Sequence, residues 1–582
     1  MTLLKPWRLL LLPLLAVAAV AAFSACGGDD SAATKTPAGA TTPAAAQRIK
    51  GGTLTVGTVE GDKLDPHQSS FASEISLERM LWRGAYTLDK DDKPQPAMAA
   101  SLPKISTDGK TFTITLKSGL KWSDGKPLTA KDFVLGLHRT CNPTIAGEYQ
   151  YVLSNIVGCD DYFNAFGTKD KPKTPTPADL EALKNAVGVK LIDDVTYAIT
   201  LADTQVTWVT ILTMWPTFPV PSHLFPNPGD AWAAPGPDAP GKLAYNGPYK
   251  MTEFVTGDHA TLVPNPNWAG DVKPTLDKLV LRFIDDFAVA DRAYEAGELD
   301  FANVNLVEVK ALQAKFAPTG EFLEVAKPTT VGMEMNLKKP PLDNLDVRLA
   351  LVRADDHDAE NTTCRQGVWV PSTTWMGTFV KGGAKPDAYK DQIGFNVAEA
   401  KKHLAAAGYP DGKGFPVLTI LVRDDTTAKC TGDFHKGQWK TNLNIDTKIE
   451  VVDGPTRSAR FKSENFELFP GGWQQDYPDP ENWIVGLFDN PGKGNNHYNC
   501  SDPEIQDLIK KAKNNTNDVE RIQQYHKVNE LIATRVCGIG PFMHVADHYL
   551  IKPYVVGMKE FATGQDGVIG GDWRAEGWGR SK

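Results

Sequence analysis

The 582-residue sequence has no CxxC pair, no HExxH helix, no GxSxG elbow, no Walker loop and no Rossmann glycine fingerprint. Zinc chemistry, hydrolase elbows and nucleotide cradles therefore lack their local signatures. It also has no basic block, and its formal net charge is -9, which argues against nucleic acid as a partner. Eleven histidines are scattered along the chain, and His357, His435 and His544 have no nucleophile beside them in sequence. A triad assembled in space leaves an extracellular hydrolase as the remote alternative. Neither a metal site nor a cofactor is indicated.

Hydrophobic residues make up 41% and charged residues 23% of the chain, close to ordinary globular usage. At this length two or three domains are expected, each able to bury a real core.

The N-terminus carries the strongest local signal. Lys5 and Arg8 precede a short apolar run from Leu9 to Ala22, and Phe23-Ser24-Ala25-Cys26 puts small residues before a cysteine. The run is too short to cross the roughly 30 Å hydrocarbon core of a bilayer comfortably, and no later apolar run approaches that length. We therefore expect residues 1–25 to be a lipoprotein signal peptide and Cys26 to be lipidated, giving an extracytoplasmic protein held to the cell membrane by its acyl chains. Residues 26–50, rich in Ala, Thr, Pro and Gly, bury too little to offset the entropy of ordering. They are expected to be a flexible tether.

Seven cysteines less Cys26 leave six, an even number in a chain with export features. About fifteen pairings are open. Short separations favour the sequence neighbours Cys141 with Cys159, Cys364 with Cys430, and Cys500 with Cys537.

Alternating apolar and polar residues predict half-buried antiparallel strands at Gly51 to Gly57, Lys110 to Lys117 and Thr196 to Leu201. Helices are predicted after Thr129, where Asp132 completes a capping box, over Asn396 to Gly408, and after Ser501-Asp502-Pro503-Glu504. Proline and glycine clusters at Pro226 to Pro240 and around Pro340-Pro341 mark surface or inter-lobe segments. Interleaved strands and helices argue an α/β or α+β architecture.

The run LKSGLKWSDGKPLTAKDFVLGLHR, Leu116 to Arg139, closely resembles the diagnostic segment of bacterial extracellular solute-binding proteins of family 5, the oligopeptide- and dipeptide-binding lipoproteins of ABC importers. Further matches follow in the family's order: LDPH at Leu64, YNGPYKMTEF at Tyr245, VPNPNW at Val263, DRAYEAGELDF at Asp291, NLKKPPLDNLDVRLAL at Asn336, AAAGYPDG at Ala405 and GGWQQDYPDPENW at Gly471. The resemblance covers essentially everything after residue 50. Trp122 and Trp268 in these motifs read as core aromatics.

The resemblance implies a two-lobe α/β fold of the periplasmic-binding-protein type (class II, cluster C), with an extra subdomain in the first lobe. Residues 51–92 would form the first part of lobe 1, 93–225 the inserted subdomain, 226–328 the second part of lobe 1, 329–536 lobe 2, and 537–582 the return to lobe 1. It implies a monomer that binds a peptide or small solute and delivers it to ABC permease subunits, not an enzyme. Asp476 would hold a ligand α-amino group, with Trp473, Gln474, Tyr477 and Tyr149 lining the cleft and Ser70, Phe71 and Ala72 offering backbone groups. A non-transport family member acting as an envelope regulator or partner-binding protein is the other reading.

Overall fold

The computed structural model describes residues 47–61, 63–89, 91–168, 171–232, 234–489, 496–561 and 574–582. The expected signal peptide, Cys26 and most of the tether lie outside them. Among the described residues no helix is long and apolar enough to cross a membrane.

One mixed sheet of eleven strands runs through the molecule. Its path begins at Tyr249–Val255 and passes through His259–Pro264, Lys278–Phe283, Thr53–Thr58, Phe301–Asn303, Ile539–Ile551, Phe322–Met335, Leu468–Gln474 and Leu418–Arg423 to Thr447–Val452. Thr53–Thr58 departs from the sequence expectation. It pairs in parallel with Lys278–Phe283 on one side and with Phe301 on the other, because its neighbours are brought round by crossovers rather than hairpins.

The long strands Phe322–Met335 and Ile539–Ile551 pair antiparallel and serve both ends of this sheet. Their register shifts between Ala326 and Thr330, where Pro328 has no N–H to give to a ladder. Near one end of the pair Leu323 meets Tyr549, and near the other Glu334 meets Ile539.

Separate apolar clusters flank this break, one large cluster on the first side and at least two on the other. One gathers Leu54, Trp82, Phe133, Trp215, Tyr249 and Trp578, with Trp122 and Trp268 among its buried members. The other side is built from Met335, Leu351, Ile420 and Trp439 beside Trp375, Trp483 and Tyr525. This is the two-lobe α/β arrangement that the resemblance implied.

A second, four-stranded antiparallel sheet of Lys104–Ile105, Thr111–Thr115, Thr196–Thr200 and Val189–Leu191 joins the first core. Phe112, Ile114 and Leu116 are buried on one face, as the alternation predicts. Helix Ala130–Thr140 packs beside it and opens with Asp132 accepting the Thr129 N–H at 2.8 Å. Helices Val397–Ala406 and Pro503–Lys513 also occur where expected, capped by Asn396 and Asp502. Residues 226–232 and 234–240 are exposed or half-buried except for Ala239. Gly247 lies against helix Ala72–Leu81, where a Cβ would come within 2.6 Å of the Leu81 carbonyl carbon.

The disulfides join Cys141 to Cys159, Cys364 to Cys430, and Cys500 to Cys537. Cys141 and Cys159 lie in the first core and Cys500 and Cys537 beside Trp375 and Trp483, whereas Cys364–Cys430 ties helix His357–Arg365 to helix Thr426–Leu443.

Candidate functional site

The strand Leu468–Gln474 is where the second core meets the first. One edge pairs with the crossing strand from Met335 to Thr329, whereas its other edge meets Leu418–Arg423 only at Leu468 opposite Ile420. Beyond Leu468 that second edge has no strand partner among the described residues. Backbone parity identifies the groups it presents. Gln475 donates its N–H to Pro328 O at 2.9 Å, on the crossing-strand side, and the Pro470 carbonyl accepts from Arg457 at 3.2 Å on the opposite side. Alternation therefore turns the amide groups of Gly472 and Gln474 toward the open edge. Gly472 is required for the strand's close approach, since a Cβ there would sit 2.2 Å from Thr330 O.

The chain then turns through Gln475-Asp476-Tyr477 into helix Pro480–Phe488. Asn482, in the first turn, ties the segment together. Its Oδ1 accepts from the Trp473 indole N–H at 3.0 Å and from the Asp476 N–H at 2.9 Å, and its Nδ2 donates to Asp476 Oδ2 at 3.0 Å. The remaining Asp476 oxygen, Oδ1, accepts the Tyr149 hydroxyl at 3.1 Å. Tyr149 belongs to the other core. Its ring stands edge-on to Trp215 at 4.5 Å, and the Trp215 indole N–H donates to Ser69 O at 3.0 Å. Asp476, Tyr149, Trp215 and the Ser69 segment thus form one continuous wall across the join.

Burial pushes the Asp476 carboxyl up to about 7, against the opposing pull of its bonds from Asn482 and Tyr149 and of the nearby Arg79 cation. The group is half-buried, and its charged form lacks a full counter-charge. A ligand ammonium placed there would supply one.

The other sequence-derived residues divide. Trp473 is partly buried and packs against both cores, and Gln474 pairs with Thr329 on the crossing strand. Tyr477 is only 4% exposed and sits among first-core residues, so it is placed as packing rather than as an open wall. Phe71 and Ala72 are exposed and Ser70 half-buried at the start of helix Ala72–Leu81. The backbone donors of this segment have partners inside the protein. The N–H groups of Ser70 and Phe71 both donate to Glu74 Oε2, at 3.1 and 3.3 Å, because Glu74, in the first turn of the helix, reaches back to the donors at its N-terminus. Those two donors are engaged within the protein rather than offered to an extended ligand.

Sequence reasoning missed Asn482, Arg79 and Trp215. Asn482 lay inside the GGWQQDYPDPENW motif and could have been found as a residue in the first turn of a helix opened by Asp479-Pro480. Arg79 and Trp215 carry no local signal, since only the fold brings them near Asp476.

His544 does have a hydroxyl beside it in space: Ser372 Oγ lies 2.9 Å from Nε2 and Thr330 Oγ1 2.9 Å from Nδ1. Ser372 is 2% exposed, burial lowers the imidazole to about 4, and the group behind the ring is a hydroxyl rather than a carboxylate. Among the described residues no group of three or more His, Cys, Asp or Glu side chains could hold a metal ion.

The profile of bacterial extracellular solute-binding proteins, family 5 Middle, matches residues 93–495. The chain belongs to that family. It is 26% identical over 519 residues to the periplasmic oligopeptide-binding protein OppA of Escherichia coli K12, covering 87% of this chain and 89% of the relative. It is 28% identical over 501 residues to the probable deoxycholate-binding periplasmic protein YgiS of the same organism, covering 85% and 88%. The crystal structure of Haemophilus influenzae OppA in complex with RPPGFSPFR superposes with a TM-score of 0.79 at 23% identity, over 92% of this chain and 100% of that one. The fold is therefore that of the family's periplasmic binding proteins.

Proposed function

We propose that this family 5 protein captures peptides or peptide-sized solutes between its lobes and hands them to the permease of an ABC importer. The observation that carries this reading is Asp476: a carboxyl raised by burial, bridged between lobes by Tyr149, at the end of a strand whose outer edge has no strand partner beyond Leu468 among the described residues. An extended ligand runs its backbone alongside Gly472 and places its α-ammonium on Asp476. Backbone pairing accepts many side chains, which suits a scavenging importer. The ligand contacts the closed form more than the open one, so it shifts the lobes toward closure.

The lobe segments 51–92, 226–328 and 537–582, with 93–225 inserted and 329–536 forming lobe 2, are part of this reading, with the lobe boundary near Lys327 to Val331 and the return near Cys537 to Phe542. So are the acyl anchor on Cys26, the monomeric state and the absence of catalysis. The Ser372–His544 pair supports the last, since Ser372 is 2% exposed and a hydroxyl rather than an acid lies behind the ring.

The likeness to a probable deoxycholate-binding protein favours a second reading, in which the cleft takes an amphiphile without an amine. Native mass spectrometry of protein purified from its host separates the two. Retained masses that fragment as peptides support the first reading; a retained amphiphile, or titration of RPPGFSPFR and trialanine without binding, overturns it.

A further inference from the structure

Asp476 and Tyr149 are not alone in joining the cores. Lys462 pairs with Glu148, and Gly486 lies so close to Tyr151 that a Cβ would come within 2.8 Å of its ring. The most enclosed of these contacts centres on Glu481, which is 5% exposed. Its Oε1 accepts from Gln205 Nε2 at 2.6 Å and from Thr207 Oγ1 at 3.1 Å, and its Oε2 is also 3.1 Å from the Thr207 hydroxyl.

Both sides of this contact are held before they meet. On the first-core side, Asn155 Nδ2 donates to Gln205 Oε1 at 3.1 Å and to Asp203 O at 2.9 Å, fixing the orientation of the Gln205 amide. On the other side, the Glu481 N–H donates to the helix cap Asp479 at 2.9 Å. Asp479 is gripped by Arg521 through bonds of 2.7 and 2.6 Å. Neither half depends on a ligand. The residue after Glu481 is Asn482, which holds Asp476 by its Oδ2.

We propose that Glu481, Gln205 and Thr207 form a latch between the lobes that favours closure without ligand and sets the angle at which Asp476 faces Tyr149. Glu481 is a positioning residue in this scheme and touches no ligand. The two bonds exist only when the lobes meet, and they are charge-assisted once Glu481, which burial raises to about 7, has lost its proton. Every gain in the closed population is a gain in the fraction of protein competent to hold ligand. The inference rests on the two-lobe capture reading, and its test is read first on ligand-free protein so that the two can fail separately.

The full chain would carry spin labels at Lys190→Cys and Lys440→Cys, one exposed site on each side of the join, and the inter-label distance would be measured by pulsed electron paramagnetic resonance. In ligand-free protein, Thr207→Val and Gln205→Leu are expected to move the distribution to longer distances, while Thr207→Ser, which keeps the hydroxyl, stays with the parent. With RPPGFSPFR or trialanine bound, Thr207→Val should raise the off-rate about tenfold with the on-rate little changed, the scale of a lost bond to a charged group. Circular dichroism melts confirm that each variant is folded. Coincident ligand-free distributions for Thr207→Val, Gln205→Leu and the parent overturn the latch, whether or not peptide binds. A shifted distribution in a protein that binds neither peptide keeps the latch and sinks the peptide reading.

Discussion

The Tyr149 hydroxyl donates to Asp476 Oδ1 at 3.1 Å across the line that separates the two apolar cores. The phenol is almost fully buried and its own ionisation is pushed well up by that burial and by the neighbouring carboxylate, so it remains a donor over the physiological range. Asp476 thus has one oxygen committed to each lobe, Oδ2 to Asn482 and Oδ1 to Tyr149.

Asp476→Ala is expected to weaken binding of free-amine peptides by at least ~1.5 kcal/mol, the loss of a hydrogen bond between charged partners. N-acetylated peptides should bind the parent and the variant alike. Isothermal calorimetry checks both, and an unchanged affinity for the free amine removes Asp476 from the site.

The pH dependence has a definite sign. With the free-site carboxyl raised to about 7, Asp476 must lose a proton to meet an ammonium at pH 5.5. Affinity should therefore climb from pH 5 to pH 7 and decline again above the α-amino value of about 7.7–8.0. Binding at pH 5.5 should release protons, measured by calorimetry in buffers of different ionisation enthalpy.

The same shift acts on stability. A carboxyl whose value is higher folded than unfolded, here raised from 3.8, favours the folded state less as pH rises from about 4 to about 7. Asp476→Asn should thus gain melting temperature relative to the parent on going from pH 4 to pH 8. Thermal melts at the two pH values test this.

Gly472→Ala should destabilise the protein by about 2 kcal/mol, because its Cβ falls 2.2 Å from Thr330 O and backbone on both sides must move. Urea titration with an unchanged slope would show a stability loss rather than a change of fold.

Replacing both cysteines of a bridge by serine should cost most for Cys364–Cys430, which spans 66 residues, and least for Cys141–Cys159, which spans 18. On chain entropy alone the losses are about 4 and about 3 kcal/mol. Urea unfolding of the two double variants ranks them.

What could be read from sequence follows from what is local. Strand alternation at Phe112, Ile114 and Leu116 and the caps at Thr129, Asn396 and Asp502 are set by neighbours a few residues away, and the structure carries each of them. The parallel partners of Thr53–Thr58 were invisible because they come from residues near 280 and 301. Asp476 and Trp473 stood out in the glycine- and proline-rich stretch ahead of helix Pro480–Phe488. The Ser70 and Phe71 donors are engaged by Glu74 in the first helical turn, whereas the family likeness pointed to the ligand. Arg79, Trp215 and Gln205 reach the cleft only through tertiary packing, over separations that no pattern reports.

The order of the main sheet also bears on how the chain acquires its form. Ile539–Ile551 sits between Phe301–Asn303 and Phe322–Met335, so the central gap in the first lobe's sheet is filled by one of the last strands to be made. A chain emerging N-terminus first must keep that slot unfilled through more than two hundred further residues, since Leu323 waits for Tyr549. Such long-range closure slows folding and leaves bare strand edges open to wrong partners in the interval. Refolding of C-terminally shortened chains would therefore lose both lobes together, not just the tail.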